Sequence, residues 1–290
     1  MTSPFSRYSL GLWLAALPVL FLVVFFVVPS ILLFVVSFFA SKPFEAIPDW
    51  NLDNYRRIFA AKGFWLATLN GLSNGFFTAT ISVLMAFPVG WFIVYRTRTN
   101  TLLYLILLSW FSSYLVRVYA WRSILGTNGV INSLLIQLGI VNEPLSFLIF
   151  SPVASVITLV HIMVPFALLI LVSAMRDVKP EYLEAAHDLG GGTRQALFRV
   201  ILPMSYKGVV GAYMFSFILA AGDYIIPQLL GGLQGMTSGL LISNQFRSVG
   251  NWPLGAAMAF VLMGAIALVY LAFTLLLYAL RLAPGRRYHD

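Results

Sequence analysis

Apolar side chains run through this chain in stretches too long and too continuous for the core of a soluble domain. Runs of spanning length fall near 12–39, 64–95, 102–124, 148–175, 205–230 and 254–281, each bounded by charge or by Gly/Pro/Asn clusters. They predict six transmembrane helices in a single all-α integral membrane domain covering residues 1–290, joined on one side by a polar loop at 176–204. The first run is charge-free from Tyr8 to Ser41. As one helix it would measure about 51 Å against a hydrocarbon core of roughly 30 Å, so it is expected to tilt, to break near Pro29 or to protrude. No small-x-small cleavage site follows it, and it reads as a retained anchor. The third run carries Arg117 and Arg122 and the fifth carries Asp223, which leaves the ends of those two spans less defined.

Composition agrees with the pattern: 60% of the 290 residues are hydrophobic, 10% are charged and the mean hydropathy is +0.89, where a soluble domain has about 25% charged residues. The net charge of +8 would raise nucleic acid as a partner, but no basic patch with interleaved aromatics lies outside the apolar runs. The basic residues sit in short loops, and topology accounts for them. With both termini inside, Arg7, Arg96, Arg98, Arg176, Lys179, Arg194, Arg199, Lys207, Arg281, Arg286 and Arg287 face the cytoplasm, and Lys42, Arg56, Arg57, Lys62, Arg117, Arg122 and Arg247 face outward. Eleven against seven favours that orientation in a bacterial inner membrane. Cysteine is absent, which removes thiol catalysis, disulfides and iron–sulfur chemistry.

Outside, the segment 129–140 places Val130, Ile131, Leu134, Leu135 and Leu138 at helical spacing, with Asn132 and Gln137 left for water; it predicts a short helix lying on the outer surface. No internal repeat is evident, which argues against transporter folds built from repeats within one chain.

The polar passage YLEAAHDLGGGTRQALFRVILP (182–203) predicts a helical hairpin on the cytoplasmic side. Pro180 suits a first helical position, Glu181 and Glu184 lie near the positive helix end, and Gly190 to Gly192 supply a left-handed terminator. Thr193 is expected to cap a second helix from about Arg194 to Ile201, and Pro203 marks its end or a kink into the fifth span. By periodicity alone the passage reads equally as an amphipathic cytoplasmic loop. Its spacing adds to that: Glu184, Ala185, Ala186, then Gly190, then Val200 and Leu202-Pro203 resembles the EAA signature of permease subunits of ATP-binding-cassette (ABC) importers. Val200 stands where that family usually has Ile.

The resemblance implies a type I ABC importer permease fold, with the first hairpin helix acting as a coupling helix in a cleft of a separate ATPase. Glu184 would anchor that contact, and Ala185, Ala186 and Gly190 would permit close approach. ATP and magnesium would then belong to the partner, with no cofactor in this chain. None of the four lysines (Lys42, Lys62, Lys179, Lys207) sits in a GxxxxGK[ST] loop, so the chain has no phosphate loop of its own. Three further passages, at 112–125, 129–145 and 222–232, with 251–257 after them, are similar to the first-type permease subunit of spermidine/putrescine importers. That subfamily implies a second permease, an ATPase dimer, an external substrate-binding protein and a small cationic cargo, a polyamine first. Relatives carry opine-like amines, thiamine or phosphonates.

Candidate cargo contacts are Asp223, Tyr224 and Trp121. Asp223 is the one charge between Gly208 and Phe246, and an acid there requires water, a counter-ion or a substrate. Pro227, four residues on, is expected to open the helix beside it, and Tyr224 adds an aromatic face for an ammonium. Equally, Asp223 lies near an outer helix end where water, Arg117 or Arg122 would satisfy it. Arg117, Trp121 and Arg122, with Tyr114 and Tyr119, read first as an interfacial girdle and second as contacts to a docking protein. His161 reads as a hydrogen-bonded bundle residue, and no metal or catalytic constellation is present in the sequence, with His187 and His289 in the hairpin and tail. Two rival classes are an ion-coupled secondary transporter, which would need more spans or buried ionisable groups, and an intramembrane enzyme, which lacks a catalytic set.

Overall fold

The computed structural model describes residue 14 and residues 16–42 and 44–279. Arg7, Arg281, Arg286, Arg287 and His289, with the outermost ends of the first and sixth spans, lie outside them. The chain divides into two compact units, one holding residues up to 62 and 242–262, the other 63–241 and 263 onward.

In the first unit, α1 (Ala16–Val36) is a 21-residue apolar helix, about 31 Å long. The first run leaves the helix before its end: the residues after Val36 depart from it and form the hairpin β1 (Ala40–Lys42) and β2 (Glu45–Ile47), paired Ala40 to Ile47. Pro29 does not break α1. A wider π turn at Val23–Val27 precedes it and absorbs its missing N–H. Helix α2 (Asp53–Ala60) is tied beneath α1 by buried Asn54, whose amide donates to Ser37 O at 3.0 Å and Phe39 O at 2.9 Å. At the hairpin tip Phe44 adopts φ 61° and donates its N–H to Gly250 O. Gly250 is itself left-handed at φ 68°, and a side chain there would run into the Phe44 ring.

The second unit is a helical bundle. Its elements are α3 (Lys62–Tyr95), α4 (Thr101–Leu108), α5 (Tyr114–Leu125), α6 (Val130–Gln137) and α7 (Pro152–Arg176), followed by α8 (Pro180–Asp188), α9 (Thr193–Met204) and α10 (Tyr206–Ala221), while α11 (Ser238–Asn244) begins in this unit and ends in the first. Helix α12 (Trp252–Ala279) starts in the first unit and ends in this one. The apolar window of α7 is 61% buried while that of α1 is 0%, so α7 is the centre of its bundle. Around it, Leu168, Leu171 and Val172 meet Ala86 and Ile93 of α3, Leu103 of α4 and Ala212 of α10. Small residues set the closest approach: a Cβ on Gly208 of α10 would overlap the Ala174 methyl of α7.

Among the described residues, four helices (α1, α3, α7 and α12) are long and apolar enough to cross a membrane, and two bent pairs bring the number to six when each pair is one crossing. The third run is therefore not the continuous helix the hydropathy predicts. It breaks at Ser112 and Ser113, and its halves, 101–111 and 114–137, meet at 91°. Serine hydroxyls stabilise the break, Ser109 Oγ donating to Ile106 O and Ser112 Oγ to Ser109 O. The outer helix α6 is present, but Asn132 faces inward, fully buried, where its amide donates to Gly126 O and its carbonyl accepts from Leu145 N–H. Leu134 and Leu138, on the apolar stripe the sequence predicts, are exposed. The returning loop needed a polar anchor, and Asn132 supplies it.

Candidate functional site

Two places carry the sequence-predicted residues. The first is the hairpin α8–α9. Lys179 is extended and Pro180 opens α8, where a missing N–H costs nothing. After Leu189 the chain turns at Gly190 with φ +80°, Gly190 N–H bonding to His187 O and Gly191 N–H to Ala186 O, both at 2.9 Å. His187 Nδ1 donates to Gly191 O and locks the turn. A Cβ on Gly190 would meet nothing within 4 Å, so the glycine is required by its backbone angle and leaves open space around it. Thr193 does not cap α9: Gly192 holds the cap position, without a side-chain bond, and Thr193 is the first helical residue. Pro203 lies one residue before the last of α9, Met204, and marks the kink into the fifth run. A π turn at Leu197–Ile201 accommodates it, and the bend falls after it, at Ser205, with 71° between 193–204 and 206–221.

No residue of α8 is buried. Glu184 and Ala185 are exposed and Ala186 is half-buried; Leu202 is half-buried and Pro203 exposed. Glu184, Leu183 and His187 border a cavity of about 540 Å³ whose opposite wall is Trp91, Tyr95 and Arg96 at the end of α3. Sequence reasoning missed Leu189, 89% exposed at the tip, and half-exposed Tyr182 and Phe198. The signal was there: bulky apolar residues in a polar loop with nothing of their own chain to cover them.

The second place is a break in the fifth run. Helix α10 ends at Ala221, and Gly222 and Asp223 leave the helical path. Helical backbone resumes at Ile225 and passes into a π turn at Pro227–Gly231. The helix opens beside the acid, as Pro227 suggested, but the opening lies upstream of the proline, which sits in the first turn of the new segment. Asp223 caps that segment: its Oδ1 accepts from Ile225 N–H at 2.8 Å and Ile226 N–H at 3.3 Å. Its Oδ2 accepts from the Tyr114 hydroxyl, and its backbone carbonyl accepts from Thr237 Oγ1 at 3.3 Å.

The arginine partners considered for Asp223 are not used. The ion pair among the described residues is Arg56 with Asp53; the Arg122 guanidinium lies 5.8 Å over the Phe150 ring, and Arg117 Nε and Nη1 are buried without a partner. Asp223 is thus oriented by three neutral donors and, among the described residues, has no cation at ion-pair distance. Tyr224 is half-buried beside it.

Trp121 lies seven residues from Tyr114 on the same face of α5, about 10.5 Å along the axis. Its indole N–H donates to His161 Nδ1 at 2.9 Å, which fixes the neutral tautomer with the proton on Nε2. Both rings border an apolar cavity of about 520 Å³ with Met85, Ile106 and Val164. One face of α5 therefore holds two polar ties, Tyr114 to Asp223 and Trp121 to His161, and the structure does not bring Trp121 to the acid. Tyr114 was grouped in the sequence with the interfacial aromatics; its place at the start of α5, after the break, gives it a different neighbour.

With this geometry in place, comparison with known proteins is direct. A family model described as the binding-protein-dependent transport system inner membrane component matches residues 58–288. The spermidine/putrescine transport system permease protein PotB of Haemophilus influenzae is 32% identical over 259 residues, which cover 86% of this chain and 88% of that protein. The inner membrane ABC transporter permease protein YdcU of Escherichia coli is 32% identical over 241 residues, covering 78% of this chain and 75% of that one. A crystal structure of a bacterial ABC transporter involved in alginate import superposes with a TM-score of 0.72 at 17% identity, covering 93% of this chain and 96% of that chain, which establishes the shared fold.

Proposed function

The chain belongs to the family of binding-protein-dependent transport-system inner membrane components, and we propose that it is the transmembrane permease subunit of an ABC importer for a polyamine such as spermidine or putrescine. The observation that carries the cargo is the 32% identity, over most of both chains, to a spermidine/putrescine permease. A small oligocation also suits a chain whose one acid in the fifth run is oriented by neutral donors.

In this reading the chain is non-catalytic. It pairs with a second permease, a dimer of ATPase subunits that holds ATP and magnesium, and an external substrate-binding protein, with both of its own termini in the cytoplasm. Helix α8 is the coupling helix. Glu184, Ala185, Ala186 and Gly190 contact the ATPase, Leu202 and Pro203 set the angle at which α9 enters the membrane, and exposed Leu189 adds apolar area to the contact. Closure of the ATPase pair pushes α8, and the bend at Ser205 passes the displacement to α10. At the far end of α10, Asp223 and Tyr224 meet cargo, with Trp121 on the neighbouring helix α5.

The test is uptake of labelled spermidine into proteoliposomes holding the complete importer. The proposal requires uptake that depends on ATP and on the binding protein, persists when ion gradients are collapsed, and is competed by putrescine. Uptake abolished by collapse of the gradients and indifferent to ATP would refute the ABC mechanism, and competition by thiamine or a phosphonate but not by putrescine would refute the cargo.

A further inference from the structure

The cavity of about 540 Å³ between the end of α3 and the hairpin α8–α9 has a chemistry that contact with an ATPase does not explain. It is the size of a small-molecule site, about 300–1,000 Å³. Val94, Leu183, Ala196 and Ile201 give it an apolar lining, while Arg96 stands on the α3 wall and Glu184 on the α8 wall. Neither charge is paired: the ion pair among the described residues is Arg56 with Asp53. The Arg96 guanidinium lies 5.3 Å from the centre of the Trp91 ring, and stacking of that kind leaves its N–H edge available. On α8, His187 follows Glu184 by three residues and shares its face. Its Nδ1 donates to Gly191 O at 2.9 Å, so Nε2 is an acceptor. One wall therefore offers a cationic donor set, and the other a carboxylate with a ring nitrogen beside it.

The level of the cavity narrows its occupant. Helix α3 is free of charge from Gly63 to Tyr95 and turns Leu84, Met85 and Phe92 outward, after which Arg96 and Arg98 follow. Trp91, Tyr95 and Arg96 at the end of such a run mark the boundary between hydrocarbon and headgroups. We propose that the cavity binds a phospholipid with a zwitterionic phosphoethanolamine headgroup, its phosphate on Arg96 and its primary ammonium on Glu184 and His187. A primary ammonium carries three N–H donors for these two acceptors, whereas the trimethylated ammonium of phosphocholine carries none. A purely anionic headgroup would set a like charge against Glu184. The bound lipid wedges between α3 and α8 and ties the hairpin to the plane of the membrane. The proposal depends on neither the cargo nor the ATPase contact, and it leaves exposed Ala185 and Leu189 for the latter.

Native mass spectrometry of the full chain, purified with its copurifying subunits and titrated with one lipid at a time, tests it. The first phosphatidylethanolamine is expected to bind about tenfold more tightly than the first phosphatidylcholine or phosphatidylglycerol, the effect of one charge-assisted hydrogen bond. Arg96 and Glu184 are exposed side chains, so their substitution spares the fold. Glu184→Gln should erase the preference for phosphatidylethanolamine over phosphatidylcholine, and Arg96→Gln should weaken phosphatidylethanolamine by a similar factor. Soluble glycerophosphoethanolamine at the same concentration should not displace the lipid. Equal affinities for the three lipids in the native protein overturn the proposal, as does a preference that Glu184→Gln leaves unchanged or binding that Arg96→Gln leaves unchanged. Displacement by the soluble headgroup would overturn the lipid as occupant.

Discussion

The Tyr114 hydroxyl joins two interruptions in the membrane helices, the bend before α5 and the gap after α10. Tyr114→Phe removes the hydroxyl and leaves both Ile225 and Ile226 N–H bonds to Asp223 in place. A hydrogen bond to a carboxylate contributes about 1.5–3 kcal/mol, and each kcal/mol moves the midpoint of a chain this size by roughly 2–4 °C, so a fall of about 4–8 °C is expected for a loss near 2 kcal/mol. Asp223→Ala also removes the helix cap and should cost more. The double-mutant cycle separates the two effects, since Tyr114→Phe should cost almost nothing once Asp223 is Ala. Thermal unfolding of the four purified proteins in one detergent gives the coupling energy, expected at about 1.5–3 kcal/mol. A coupling within about 0.5 kcal/mol of zero would refute the reasoning that this hydroxyl holds the helix break.

Three further outcomes follow from particular contacts. Asn54→Ala leaves the carbonyls of Ser37 and Phe39 without their amide donor and should lower stability by about 1–3 kcal/mol, read as a melting shift. Gly75→Leu pushes a side chain into Ala221 and Phe217 and should prevent stable expression, while Gly264→Leu on α12, with nothing within 4 Å of its Cβ, should be tolerated; equal expression of the two would count against the α3–α10 contact. Gly190→Val forces a β-branched residue to φ +80°, a strain of about 1–3 kcal/mol, and should reduce uptake while leaving membrane insertion intact, checked by transport alongside quantification of the membrane fraction.

The hairpin was legible because its rules are local. Pro180 at the helix start and a left-handed Gly190 at its end need only neighbours in sequence. The long spans α3, α7 and α12 were legible for the same reason, since length and apolarity are properties of one segment. What escaped the sequence depends on distant partners. The break in the third run is stabilised by serines that also occur inside intact helices: Ser82 lies mid-α3 without bending it, whereas Ser112 does bend its run. Pro227 drew attention to the fifth run, yet the gap opened at Gly222, where Asp223 finds both Tyr114 and the next helical turn. Asn132 turned inward because a loop thirteen residues away needed a cap. Periodicity assigned it to water, since polar side chains are sorted by that rule without knowledge of what arrives opposite.

Helix α8 as the contact with an ATPase is the central claim, and the absence of native cysteine makes one measurement direct. Glu184→Cys places a single thiol on the exposed face of α8, and a short bifunctional reagent applied to membranes holding the whole importer should give an adduct at the summed mass of this chain and the ATPase subunit, changing in yield when ATP binds. A thiol at 184 that reacts freely with a small maleimide but never crosslinks to the ATPase would contradict the account.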